Sequence, residues 1–120
     1  MRFTPVEPPR RFRVGFDKSV ELADCASIGL EADEQVTLTT VTGGELDVTR
    51  KSWGFYATPS LNSRLPGFGL HGRLVRNRVG HLFVVLVEAG HEAEFDRYRA
   101  KEGLEVVAML DEPAVEPTHG

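Results

Sequence analysis

The sequence predicts an α+β fold: a mostly antiparallel, strongly curled β-meander, closed in part around one C-terminal helix that is followed by a last strand. Three observations predict it. Apolar and polar residues alternate with period two from Arg11 to about Arg50. A second hairpin pattern follows over residues 71–88. After Gly90 the apolar spacing lengthens to that of a helix. Period two reads as strand and period 3.6 as helix, because side chains alternate across a strand but wind around a helix.

The elements follow in order. Residues 1–10 carry Pro5, Pro8 and Pro9, which lack the N–H a ladder needs, so they read as an extended arm. Phe12, Val14 and Phe16 alternate with Arg11, Arg13 and Gly15 as in a half-buried strand. Val20, Leu22, Ala26, Ile28 and Leu30 share one parity, interrupted by Asp24. That run is one long bent strand or two short ones. Glu34–Val41 and Glu45–Arg50 are two further strands joined through Thr42, Gly43 and Gly44. A three-residue loop pairs Val41 with Glu45 and Leu38 with Val48, which keeps apolar residues on one face and asks Gly44 to be left-handed.

The second hairpin joins His71–Arg78 to His81–Glu88. Leu82–Val87 lacks alternation, which predicts a central strand covered on both faces. Gly90–Gly103 reads as a helix: acids crowd its first turn, bases its last, and Gly103 stands where a helix stop belongs. Leu104–Leu110 is the last strand. A single domain over residues 11–111, with a flexible tail over 112–120, accounts for the whole.

Composition narrows the function. The chain has 120 residues, 41% hydrophobic and 27% charged, which is globular rather than disordered. The single cysteine, Cys25, forbids an internal disulfide. The N-terminus lacks the apolar stretch of a signal peptide, and the run Leu82–Val87 is too short to span a bilayer. A cytoplasmic location and no membrane partner are the expectation. The net charge of −4 argues against nucleic acid as a partner.

The distribution of charge is uneven. No Asp or Glu occurs between Asp47 and Glu88, a stretch that holds Arg50, Lys51, Arg64, Arg73, Arg76 and Arg78. The rest carries eight bases against eighteen acids, a net of −10. A basic island on an acidic body suggests a local anion site. Residues 50–72 hold six glycines and prolines, the only tryptophan (Trp53), Phe55 and Tyr56, and hydroxyl or amide groups at Thr58, Ser60, Asn62 and Ser63. They read as a long irregular loop, and such loops in small domains are usually functional.

Guanidinium forks bind phosphate or carboxylate, and aromatic faces stack on flat ligands. Trp53, Tyr56, Asn62, Arg64, Arg73 and Arg76 are therefore the candidate site for a small anionic ligand such as a phosphorylated or nucleotide-linked sugar. The competing reading makes Trp53, Phe55 and Phe68 core side chains beneath a structural loop. A Trp/Tyr/Arg surface also suits an acidic protein partner, and the exposed edges of a short meander favour a homodimer.

Little points to catalysis. With no acid in the island, a general base would have to be a histidine, most plausibly His71, or a carboxylate brought from elsewhere in the chain. His71, His81, His91 and His119 have no metal-site spacing, although the second hairpin could bring His71 and His81 together. Cys25, beside Asp24, reads as a buried or half-buried structural thiol. Pro66-Gly67-Phe68-Gly69 is not a phosphate loop, and no cofactor motif is present.

Lys51-Ser52-Trp53-Gly54-Phe55-Tyr56-Ala57-Thr58-Pro59-Ser60-Leu61-Asn62, followed by Leu74-Val75-Arg76-Asn77-Arg78, resembles small uncharacterised bacterial proteins encoded among cell-surface polysaccharide genes. The resemblance covers residues 20–111. It implies a role near glycan or sugar-nucleotide metabolism and brings no catalytic residue with it.

Overall fold

A computed structural model describes residues 1–112. From residue 113 the tail expected over 112–120 lies outside the described residues, as does His119. Among the described residues the chain is mostly antiparallel β-structure with two helices, so the predicted class holds. The curled, partly closed meander does not. The strands form three separate open sheets of two, three and three strands. Contacts group the chain into two compact units: residues 1–36 with 48–56, and residues 37–47 with 57 onward.

The first unit is dominated by a ribbon of β1 (Arg2–Val14) and β2 (Val20–Gly29). The arm expected over residues 1–10 is thus ladder from Arg2 onward. Pro8 and Pro9 are tolerated because the register shifts between Pro5 and Arg10, where pairing is interrupted. Cross-strand pairs such as Phe3–Ile28, Phe12–Leu22 and Val14–Val20 set one apolar face. Arg11, Arg13 and Glu21 lie on the other, within 3.4 and 3.7 Å as ion pairs. Cys25 also lies on that polar face. It is exposed, with its thiol directed to the Ala23 carbonyl at 3.5 Å, which corrects the buried thiol expected from sequence.

The next sheet has the order β3-β4-β5, from β3 (Gln35–Thr39), β4 (Glu45–Lys51) and β5 (Gly54–Thr58). The β3–β4 turn differs from expectation by one residue. The Thr40 N–H donates to the Gly44 carbonyl at 3.0 Å, and Gly43, not Gly44, takes the positive φ of 99°. That closure sets Leu38 across from Leu46, so apolar still meets apolar. Gly44 serves by close approach instead. A Cβ there would lie 2.9 Å from Thr40 Oγ1 and 3.2 Å from the Leu70 side chain.

β5 is a second departure. Residues 50–72 are not one irregular loop. β4 continues to Lys51, Ser52 and Trp53 make a tight turn, and the β-favouring run Phe55-Tyr56-Ala57-Thr58 returns as a strand. A one-turn helix, α1 (Arg64–Gly67), then precedes β6 (Leu70–Arg76).

The second unit contains the core. β6, β7 (Leu82–Glu88) and β8 (Glu105–Met109) form a sheet in the order β7-β6-β8, with β6 antiparallel to both neighbours. β7, helix α2 (Glu92–Glu102) and β8 thus make a split β-α-β unit around β6. α2 ends on left-handed Gly103, φ 71°, whose N–H reaches the Ala100 carbonyl.

The hairpin β6–β7 falls where predicted, but its roles are exchanged: β6 is central and β7 is an edge, with Leu82, Phe83 and Val84 exposed. Leu65, Leu70, Val75 and Val87 are the buried apolar residues. Among the described residues every buried one, apolar or polar, lies in this second unit.

Candidate functional site

Two groups of side chains present chemistry, one in each unit. The first is the β4–β5 hairpin. Its tight turn puts Trp53 at the tip and Phe55 and Tyr56 at the start of the returning strand. They are 69%, 65% and 55% exposed. The reading of Trp53 and Phe55 as core side chains is therefore overturned; only Phe68 is half-buried.

Two cations accompany these rings. The Arg50 guanidinium carbon sits 5.8 Å from the centre of the Phe55 ring, and Arg50 Nη1 donates to the Gly54 carbonyl at 3.3 Å. This stacking holds a fork of donors beside the rings. Lys51 is bound to Asp33. Three large exposed aromatic rings within four residues exceed what a surface strand needs for folding.

The second group gathers at the end of β6. His71 Nδ1 lies 2.8 Å from Asp111 Oδ2, and Arg73 Nη1 lies 2.9 Å from Asp111 Oδ1. All three are half-buried. β6 presents His71 and Arg73 on one face because they are two residues apart. Asp111 reaches them because the Leu110 N–H donates to the Gly72 carbonyl at 2.9 Å just past β8. Partial burial acts to raise the Asp111 pKa, but the hydrogen bonds from His71 and Arg73 and the charge of Arg73 outweigh it. The carboxyl is held below the usual aspartate value. An ionised carboxylate only accepts, so Nδ1 of His71 carries the proton and Nε2 is the nitrogen left for proton exchange.

Arg73 also lines an open groove of about 600 Å³ between α2 and this face of the sheet. Val87, Val106 and Met109 form its floor with Phe95 and Leu104, and Glu92, Asp96, Arg99 and Glu105 its charged rim. Glu92 lies near His71. Its carboxyl is lowered first by the backbone N–H groups of Glu92 itself and Gly90, then by the His71 and His91 imidazoles, against an opposing burial cost.

The sequence-predicted residues thus divide. Trp53 and Tyr56 belong to the first unit; Asn62, Arg64, Arg73 and Arg76 belong to the second. Asn62 and Arg64 are exposed in and beside α1. Arg76 is paired with Glu105 at 2.9 Å, as Arg73 is with Asp111. The acid-free island of the sequence is therefore partly neutralised in space by acids from residues 105 and 111. His71 is not brought to His81. The register pairs His71 with Val87 and Arg76 with Leu82, which puts the two imidazoles at opposite ends of the hairpin. Among the described residues no group of three or more His, Cys, Asp or Glu side chains could hold a metal ion. No helix of the described residues is long and apolar enough to cross a membrane.

Asp111 is the neighbour of His71 that sequence reasoning misses. Forty residues separate it from His71, and no local spacing signals the pair. Together these features define a β-rich α+β chain with a split β-α-β unit and an exposed aromatic hairpin. No family model, curated protein or solved structure matches it.

Proposed function

We propose that this chain is a binding protein for anionic sugar-containing ligands, and that the β4–β5 hairpin is its contact surface. The exposure of Trp53, Phe55 and Tyr56 carries the reading. Phe55 and Tyr56 stand on opposite faces of β5, so the ring that can stack on a sugar or a base beside the Arg50 fork is Phe55, and that fork suits a carboxylate or phosphate. The likeness of residues 51–62 to proteins of polysaccharide gene clusters points to the same ligand class, in the cytoplasm of a bacterium.

Trp53 is the only tryptophan, so its emission reports the hairpin alone. Titration with uronate-containing oligosaccharides and sugar phosphates should shift or quench that emission saturably. Arg50→Ala should weaken the effect, and added salt should weaken it as screening predicts. Unchanged emission and no calorimetric heat with any of them at millimolar concentration would reject the reading. Loss of a protein partner on Trp53→Ala, with no sugar response, would assign the same surface to an acidic protein instead.

A second reading rests on a different observation, the 2.8 Å contact between His71 and Asp111. A carboxylate that fixes the imidazole tautomer prepares Nε2 as an acid or base. In that reading the chain modifies a sugar-linked substrate, with His71 moving the proton and Arg73 beside it. His71→Ala would then abolish turnover and leave the Trp53 response intact.

A further inference from the structure

The ribbon β1–β2 presents an apolar face that the chain covers only in part: Phe12, Val14, Val20 and Ala26 are half-buried, and Phe3, Pro5, Leu22 and Ile28 stay exposed. On it stand Phe3, Pro5, Phe12 and Val14 from β1, and Val20, Leu22, Ala26 and Ile28 from β2. Phe3, Leu22 and Ile28 are 59%, 44% and 41% exposed. A two-stranded ribbon is marginal in water by itself; stability comes from covering its apolar face. No described residue of the first unit is buried, so the usual source of stability is missing there.

We infer that a second copy of this chain covers the face, ribbon against ribbon. The argument lies in the register and in two charges. Arg10 and Asp24 are the charged residues among the cross-strand pairs of this face. They are cross-strand partners, 3.5 Å apart, and Arg10 also lies over the Phe12 ring at 4.7 Å. Consider a twofold axis running along the ribbon between two stacked faces. It sets each residue of β1 opposite its own cross-strand partner in the second copy.

Phe3 then meets Ile28, Pro5 meets Ala26, Phe12 meets Leu22 and Val14 meets Val20. Arg10 meets Asp24 of the second copy, and Asp24 meets Arg10. The face is therefore self-complementary, apolar to apolar and cation to anion, as an isologous interface requires. A twofold axis across the strands would not bring those opposite charges together. Asp24 interrupts the apolar parity of residues 20–30, and this arrangement gives it a role. Cys25 points to the opposite face and takes no part.

The test is a charge swap read by light scattering after size exclusion, with reductant present so that exposed Cys25 cannot cross-link. The natural chain should have twice the monomer mass. Arg10→Asp alone and Asp24→Arg alone place like charges opposite one another, so each should run as a monomer with an unchanged far-ultraviolet spectrum. Mixed one to one, they should form a dimer, because both carboxylates of the Arg10→Asp chain then face the two guanidinium groups of the Asp24→Arg chain. Within each variant chain the two charges remain alike, so recovery reports only contacts between chains. Should either variant fail to fold, Ile28→Ser gives the milder probe. It should raise the dimer dissociation constant about tenfold or more. A natural chain of monomer mass, variants that still dimerise, or a mixture that stays monomeric would each overturn the inference. So would an Ile28→Ser dimer as tight as the original.

Discussion

The β1–β2 ribbon and the β7-β6-β8 sheet are both antiparallel, and both contain strands with apolar residues on at least one face. In the sheet Leu70, Val75 and Val87 are buried, although Leu82, Phe83 and Val84 of the edge strand β7 and Val107 and Met109 of β8 stay exposed. α2 lies over one face of the sheet across an open groove, and Leu61 approaches the other face at Gly72. In the ribbon and the β4–β5 hairpin they face outward: Phe3, Phe16, Leu22, Ile28, Trp53, Phe55 and Tyr56 are all exposed. Ladder hydrogen bonds are alike in the two regions. What differs is burial, the dominant favourable term in folding. The sheet region is built to hold itself together, and the ribbon region to meet something else.

The comparison can be broken most sharply in the core. Leu65 is fully buried. Leu65→Ala should cost about 2–5 kcal/mol through lost transfer energy and the cavity left behind. Urea unfolding followed by circular dichroism measures it. A loss below about 1 kcal/mol would show that the second unit is not a packed core.

Gly44→Ala comes next. The added methyl meets Thr40 Oγ1 and the Leu70 side chain, and overpacking of this kind costs about 1–3 kcal/mol. Thermal unfolding that is unchanged would mean that the turn yields without cost.

Asp111→Asn should cost about 1 kcal/mol at neutral pH, because the pairs it breaks are half-buried and screened. The sign of its pH dependence follows from the lowered Asp111 pKa. A carboxyl with a folded pKa below its unfolded value adds stability that is fully present above the unfolded value. That stability is lost as pH falls through the folded value. The Asp111 part of the gap between natural and variant stability should therefore be complete above the ordinary aspartate value. It should close as pH falls from the ordinary aspartate value to below it. A gap that widens as pH falls below the ordinary aspartate value would contradict the His71–Asp111–Arg73 arrangement.

Trp53→Ala should have the smallest effect on stability, within about 0.5 kcal/mol, because an exposed ring contributes little to folding. A large loss would return Trp53 to the core. Preserved stability together with lost ligand response would sharpen the contrast between the two regions.

Sequence legibility follows the range of the interactions involved. The β6–β7 hairpin and α2 with its Gly103 stop are readable because alternation, helix charge bias and a terminal glycine are all local. β5 is not, since Gly54 and Pro59 read as loop punctuation and mask the strand run between them. Nor is the edge position of β7 visible. Leu82–Val87 has the unbroken apolarity of a central strand, yet the sheet order puts β6 in the centre. Composition finds the aromatic hairpin but assigns it to a loop. The acid that completes the His71 group comes from the end of the last strand, and only tertiary pairing brings it there. Pairing of Arg76 with Glu105 escapes the sequence for the same reason.

Amide hydrogen exchange at two protein concentrations tests most directly whether the ribbon depends on an external partner while the sheet does not. Exchange in β1 and β2 should be fast in dilute solution and slow as concentration rises, with β6 equally protected throughout. Ribbon amides as protected as those of β6 in the most dilute sample would contradict the account.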